Sequence, residues 1–279
     1  MVTPYQIDGI PSERAPILTA HGLVSSRQHW CFFTPHFSAN REVISWDYRG
    51  HGGHACDDHD VSVETFADDA YDVWRATKRP PVIVVGLSFG VQVALEIWRR
   101  HPEMVRALVL ICGTPGHPLD RVSTSPALRR RTAATFRSLG RRRLLAAPLL
   151  AFARSTAGVT ITRELTYLSG GAKRGACPRE VLDDLFAHVA SLPPALIGNV
   201  IGAYLEHSAE DVLPTITVPT LVLAADKDEL TPVATAERMA RAIPGSELVV
   251  FAGHSHLVQV EIPDQVHGAI DRFLRARQL

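Results

Sequence analysis

The pentapeptide Gly86-Leu87-Ser88-Phe89-Gly90 is the stretch of this 279-residue chain whose residue types and spacing most directly suggest chemistry. It has the form G-x-S-x-G, follows the apolar run Val82-Ile83-Val84-Val85 and precedes a segment with helical patterning. A strand that turns abruptly into a helix brings its backbone against itself, so positions two residues either side of the apex have no room for a side chain. Glycine at 86 and 90 meets that demand and leaves Ser88 projecting at the tip, beside the unpaired N–H groups of a helix N-terminus, where negative charge is favoured. A chance match to so short a pattern is the competing explanation, and the strand–turn–helix context opposes it. A serine hydroxyl attacks a carbonyl only when a base takes its proton, and the base needs an orienting acid. Two later loops offer both. The run Thr220 to Ala225 leads into Asp226-Lys227-Asp228-Glu229-Leu230-Thr231-Pro232, and Glu247 to Phe251 leads into Ala252-Gly253-His254-Ser255-His256, in the order Ser, Asp, His.

The elements that must position these residues are legible as alternating patterns. Ile17–Ala20, Val43–Trp46, Val82–Val85, Ala107–Cys112, Thr220–Ala225 and Glu247–Phe251 are short, nearly continuous apolar runs, as expected of parallel strands covered on both faces. Between them, Val63, Phe66, Ala67, Ala70, Val73 and Trp74 form a helical stripe with Ser62 placed to cap it. The segment from Phe89 to Arg100 is apolar almost all round and stops before Pro102, which predicts a buried central helix. Thr231-Pro232 predicts an N-cap and first residue for a helix carrying Ala236, Met239, Ala240 and Ile243, and Pro263 begins a last helix with Val266, Ile270, Phe273 and Leu274. Strand and helix in alternation predict an α/β fold with a mostly parallel twisted sheet flanked by helices. From about Gly116 to Leu213 no strand is evident, and helix-like pieces separated by Pro and Gly clusters predict a helical insertion over the strand ends.

Composition narrows the function classes. There are 29 Lys+Arg against 29 Asp+Glu, a net charge of zero with the 13 His neutral, and 46% of residues are hydrophobic. That balance excludes a basic nucleic-acid binder and a disordered chain. Cys31, Cys56, Cys112 and Cys177 form no CxxC pair, so neither a zinc site of spaced cysteines nor a disulfide framework is expected. No basic segment followed by an apolar core opens the sequence, and the longest apolar stretch, Leu144 to Ala153, is about half a membrane span. The expectation is a soluble, cytoplasmic protein with no transmembrane segment.

At this point the sequence resembles the α/β-hydrolase superfamily, over roughly residues 5–115 and 214–279. His21-Gly22 after the first clear strand and Asp47-Tyr48-Arg49-Gly50-His51-Gly52 extend the likeness. The resemblance implies residues 1–115 and 214–279 as the hydrolase core and 116–213 as a helical cap. It selects Asp228 as the acid through a D-x-x-x-P pattern ending at Pro232, with Asp226 as rival or loop-fixing carboxylate. A G-H-[ST] step selects His254 as the base and leaves His256 as solvent-facing or substrate-side. It further implies an oxyanion hole from the backbone N–H groups of Leu23 and Phe89, with His21, Asp47 and Arg49 as scaffolding. Val91 stands where a further glycine often follows, and the oxyanion loop lacks the extra glycines common in lipases.

The reaction implied is hydrolysis of a carboxylic ester or related acyl compound, a small-molecule substrate, without cofactor or metal. Ser88 attacks, His254 carries the proton and Asp228 holds His254. A carbon–carbon bond hydrolase or lactonase of aromatic degradation needs the same triad, and a non-catalytic ligand-binding protein on the same fold is the alternative from another class. Three weaker signals remain. The His54–Asp60 stretch has metal-ligand residue types without metal-site spacing and reads as a solvated acidic loop. The arginines of 129–131 and 141–143 either attract an anionic substrate or surface or simply face water, with the acidic segment Asp57 to Asp72 as their possible counterpart. Trp30 either walls an acyl pocket or belongs to the core.

Overall fold

The computed structural model describes residues 2–52, 61–121, 124–142, 148 and 151–279. The expected acidic loop His54–Asp60, Arg143 and most of the apolar stretch Leu144 to Ala153 lie outside the described residues. In chain order the main elements are β1 (Tyr5–Asp8), β2 (Ile17–Ala20), α1 (Phe33–Ser38), β3 (Val43–Trp46), α2 (Val63–Thr77), β4 (Val82–Leu87), α3 (Phe89–Arg100) and β5 (Val105–Ile111). They continue with α4 (Pro126–Arg141), α5 (Thr156–Leu168), α6 (Arg179–Ser191), α7 (Pro194–Glu206), β6 (Thr220–Ala225), α8 (Val233–Ala242), β7 (Glu247–Phe251), α9 (Val258–Glu261) and α10 (Pro263–Ala276).

Among the described residues the strands form one sheet in the order β1-β3-β2-β4-β5-β6-β7. All neighbours are parallel except β1, which pairs antiparallel with β3 at the edge. The six apolar runs are all strands, with β4 and β5 each extended by a residue or two. The polar, four-residue β1 carries no run from which to expect it.

Because successive strand residues face opposite sides, the sheet separates two cores. Leu18, Val84, Leu108, Leu110 and Val222 pack on one side with α2, α3 and α8. Ile17, Ile83, Val85, Val109 and Leu223 pack on the other with Phe33 and Phe37 of α1 and Ile270 and Phe273 of α10. Ser62 caps α2 in a reciprocal capping box with Thr65. Pro232 rather than Thr231 is the N-cap of α8. Thr231 is withdrawn from capping because its hydroxyl donates to Asp228 at 2.6 Å.

Between β5 and β6 the described residues are helical, with no strand. Here α4 and α7 lie in close contact, and a Cβ at Gly198 would stand 2.4 Å from the Phe136 carbonyl oxygen. Among the described residues, the ion pairs of Arg129 and Arg137 do not reach the acidic segment. Arg129 pairs with Asp120 at 2.7 Å and Arg137 with Glu206 at 2.6 Å. Asp68 binds Arg100 and His101, each at 2.8 Å, and Asp69 binds Arg49 at 2.6 Å. Among the described residues no single helix is long and apolar enough to cross a membrane.

Candidate active site

The turn from β4 into α3 is as tight as its glycines require. Ser88 has φ 55° and ψ −114°, a conformation costly for a residue with a Cβ and typical of strain held at functional sites. A Cβ at Gly86 would stand 2.4 Å from the Gly90 carbonyl oxygen, and one at Gly90 would stand 2.1 Å from that of Ala20. The strain is held in place by the Ser88 N–H, which donates to Ile111 O at 2.8 Å across to β5.

His256, not His254, meets this serine. Ser88 Oγ lies 2.8 Å from His256 Nε2, and His256 Nδ1 lies 2.8 Å from Asp228 Oδ2. With Nδ1–H donating to the carboxylate, Nε2 is the acceptor that faces the hydroxyl. Asp228 also accepts from the backbone N–H groups of Leu230 and Thr231, both at 2.8 Å, and from the Thr231 hydroxyl. Burial opposes ionisation of this carboxyl, but the hydrogen bonds from His256 and Thr231 outweigh it and hold Asp228 below the usual carboxylate range.

The expectation of His254 as base is therefore corrected, and the reason is Glu261. Its side chain is wholly buried and accepts from His254 Nδ1 and Ser255 N, both at 3.1 Å, from Lys173 N at 2.6 Å, and from Ser255 Oγ. A buried carboxylate needs such donors, and His254 is consumed in supplying one. Glu261 is the one acid in the apolar stretch 257–262, and its need for nearby donors was the available signal. Asp226 has the loop-fixing role: its Oδ1 accepts from Gly253 N at 2.5 Å, tying the acid loop to the histidine loop. Gly253 takes φ 77° at that junction.

The loop after β2 is braced by its histidine. His21 is fully buried; its Nδ1–H donates to Gly22 O at 3.0 Å and its Nε2 accepts from Tyr48 N at 3.3 Å. Burial holds its pKa well below the ordinary histidine value, which keeps this neutral tautomer in place. Tyr48 Oη donates back to His21 O at 2.8 Å. Asp47 and Arg49 are scaffolding here: Asp47 accepts from Arg27 N at 2.8 Å, and Arg49 forks onto Asp69. A Cβ at Gly22 would stand 3.8 Å from Ser88 Cβ, so this loop lies directly against the serine. Phe89, as the first residue of α3, has an N–H without an intrahelical acceptor.

Ser88 and His256 open into a cavity of about 470 Å³ roofed by residues of α5, α6 and α7. Its wall is largely apolar, with Leu23, Val24, Leu185, Phe186, Val189 and Leu257 among its residues, and Thr166, Tyr204 and His29 as polar additions. No Asp, Glu, Lys or Arg lines it among the described residues. Burial, and then the Asp228 charge, push the Tyr204 phenol up, so it stays a neutral hydroxyl. No periodic signal marks these polar residues in the sequence, since the segment carrying Thr166 and Tyr204 meets the serine only through tertiary packing. Trp30 is 1% exposed and packs beneath the sheet with Ile17 and Phe33; it belongs to the core and does not wall the cavity.

Elsewhere, ligand atoms of Glu64, Glu96 and His207 lie within 4.8 Å of one another. Glu96 Oε2 already accepts from Arg99 and from His207 Nε2, which makes this an ion-pair network rather than a vacant cage.

Comparison with known proteins gives the family of the fold. Residues 15–263 match the family model described as alpha/beta hydrolase fold. A pimeloyl-[acyl-carrier protein] methyl ester esterase from Aromatoleum aromaticum is 25% identical over 271 residues, covering 94% of this chain and 99% of its own. A 2-hydroxymuconate semialdehyde hydrolase from a Pseudomonas species is 27% identical over 270 residues, covering 93% and 86%. Among solved structures, a thermophilic esterase from Thermogutta terrifontis superposes with a TM-score of 0.77 at 25% identity, covering 98% of this chain and 93% of that one.

Proposed function

The chain belongs to the α/β-hydrolase fold family, and we propose that within it the protein is a serine-dependent acyl hydrolase acting on carboxylic esters with an uncharged acyl portion, lactones included, through Ser88, His256 and Asp228. The observation that carries this reading is the unbroken hydrogen-bond chain from Ser88 Oγ through His256 to Asp228 at the floor of an uncharged cavity.

In the acylation step Ser88 Oγ bonds to the carbonyl carbon while its proton passes to His256 Nε2. Asp228 holds the ring and stabilises the imidazolium that forms. The Leu23 and Phe89 N–H groups receive the oxyanion, each contributing a factor of roughly 10²–10³ in rate. His256 then gives the proton to the departing alkoxide, and water, deprotonated by the same nitrogen, cleaves the acyl-enzyme. Residues 116–213 form the cap that selects the substrate.

The lining favours ester over carbon–carbon bond hydrolysis. A dienone acid of aromatic degradation brings a carboxylate, which a buried site would have to pair with a cation, and this wall has none among the described residues. A fluorophosphonate probe tests the reading: stoichiometric labelling of Ser88 is expected, together with turnover of p-nitrophenyl butyrate and not of a dienone acid. An intact, folded protein that takes no label is instead a ligand-binding member of the fold.

A further inference from the structure

A second pocket, of about 260 Å³, lies behind the wall of the catalytic cavity. His29 and Leu185 line both. The two compartments differ in chemistry. The spacing of Glu180, Asp184 and His188 places them on one face of α6, where they line the smaller pocket opposite Gln28, His29 and Cys31. No Lys or Arg lines it among the described residues. Burial raises the Cys31 thiol, and the charge of the exposed Asp184 adds to it.

His29 stands where the compartments meet. It is 9% exposed, its Nδ1 is 2.7 Å from Ser25 Oγ, and its Nε2 is buried with no hydrogen-bond partner. Burial first, then the neighbouring His256 and His188, lowers its pKa to about 4, so the ring is neutral at pH 7. His188 Nε2–H donates to Ser25 O at 3.1 Å, and burial lowers its pKa as well. The pocket therefore sets the exposed Glu180 and Asp184 side chains against uncharged rings. A buried polar atom left without a partner in the protein costs free energy that a ligand can recover.

We propose that this pocket is the leaving-group subsite of the hydrolase, that it takes the cationic, amine- or ammonium-bearing alcohol portion of an ester, and that His29 is the polar contact at its inner end. The inference rests on the ester-hydrolase reading and extends it: the uncharged cavity takes the acyl portion, and the α6 carboxylates attract the alcohol. The ester C–O bond breaks as Ser88 Oγ–C forms, and the alkoxide leaves as the amino alcohol with the proton from His256.

Choline butyrate and its neutral isostere 3,3-dimethylbutyl butyrate separate the charge from the shape. The choline ester is expected to have a kcat/KM about tenfold higher at low salt, the size two partly exposed charge contacts provide. In Glu180→Gln/Asp184→Asn the ratio falls to within about twofold, while the neutral ester is unaffected. His29→Leu lowers kcat/KM for both esters yet leaves labelling of Ser88 by a fluorophosphonate, which expels only fluoride, unchanged. Equal turnover of the two esters by the native protein, or an unchanged ratio in the double variant, overturns the subsite. Loss of fluorophosphonate labelling in His29→Leu would show a merely structural role for that ring. Calorimetric titration with choline alone reads the pocket without turnover. Choline binding that the double variant loses, in a protein that hydrolyses neither ester, keeps the cation pocket and overturns the ester-hydrolase reading. Ester turnover with no choline binding does the reverse.

Discussion

Exchanging either histidine of the loop for alanine separates two roles that sit two residues apart. Among the described residues His256 Nε2 is the acceptor placed at hydrogen-bond distance from Ser88 Oγ, at 2.8 Å, and its ring is held by Asp228. Removing it leaves the hydroxyl without a base while the oxyanion donors stay in place. Loss of such a base costs between about 10⁴ and 10⁶ in kcat, which is about 5–8 kcal/mol of transition-state stabilisation. His254→Ala takes one of four donors from the buried Glu261 carboxylate and leaves Ser255 N, Ser255 Oγ and Lys173 N. The expected cost is one of stability, about 1–3 kcal/mol, or a Tm lowered by roughly 3–10 °C in a chain of this size. The effect on kcat should stay within about tenfold. The assay is p-nitrophenyl butyrate turnover together with the rate of fluorophosphonate labelling, with Tm measured on the same samples. If His254→Ala abolishes labelling while His256→Ala keeps it, the triad has been assembled from the wrong ring.

Three further outcomes follow from the same geometry. Asp228→Asn should lower kcat by roughly 10³–10⁴ by favouring the wrong histidine tautomer; Asp226→Asn, whose amide oxygen can still accept from Gly253 N, should cost far less, and equal losses in steady-state kinetics would contradict the assignment. Gly90→Ala puts a methyl 2.1 Å from the Ala20 carbonyl oxygen, so at least about 3 kcal/mol of overpacking is expected, read as a drop in Tm of roughly 6–12 °C. His29 and His51 are buried with pKa values lowered to about 4 from 6.5, in both cases mainly by desolvation. Between those values the unfolded chain binds protons that the native state refuses, so the stability present above pH 6.5 is lost as pH falls towards 4, by up to about 3 kcal/mol per ring. Urea unfolding at pH 7, 6 and 5 should show the decline and His51→Phe should flatten it; a stability constant over that range would refute it.

The strands that carry the site could be read from the sequence because each is an apolar run, buried on both faces in all but the edge strand β7, and the serine because its turn imposes glycine at fixed offsets. Asp228 and the cap of α2 were legible for the same reason: their partners lie within four residues. What could not be read locally depends on packing between distant segments. Glu261 lies seven residues beyond His254 and five beyond His256, and the local G-H-[ST] pattern selects His254, because Ser255-His256-Leu257 does not match it. The choice between the rings is made by the buried carboxylate and by Gly170 O, which accepts from His256 N at 3.3 Å. Arg129 belongs to a cluster that reads in one dimension as anion-attracting, but its ion pair reaches Asp120.

Asp226, the expected rival of the acid, and His254, the expected base, instead brace the loops that carry Asp228 and His256. Asp226 fastens the start of the histidine loop through Gly253 N, and His254 with Ser255 fastens its middle to Glu261. Glu261 also accepts from Lys173 N, and Gly170 O receives the His256 N–H, so the turn after α5 is tied into the same loop. A hydrogen-bonded network fixes a side chain more firmly than its separate bonds would, and catalysis at Ser88 requires the imidazole to hold its position within a fraction of an ångström. The clustering of near-duplicate acids and histidines around the site therefore has a physical cause. One member of each pair belongs to the chain that runs from Ser88 through His256 to Asp228, and the other braces the loops that carry it.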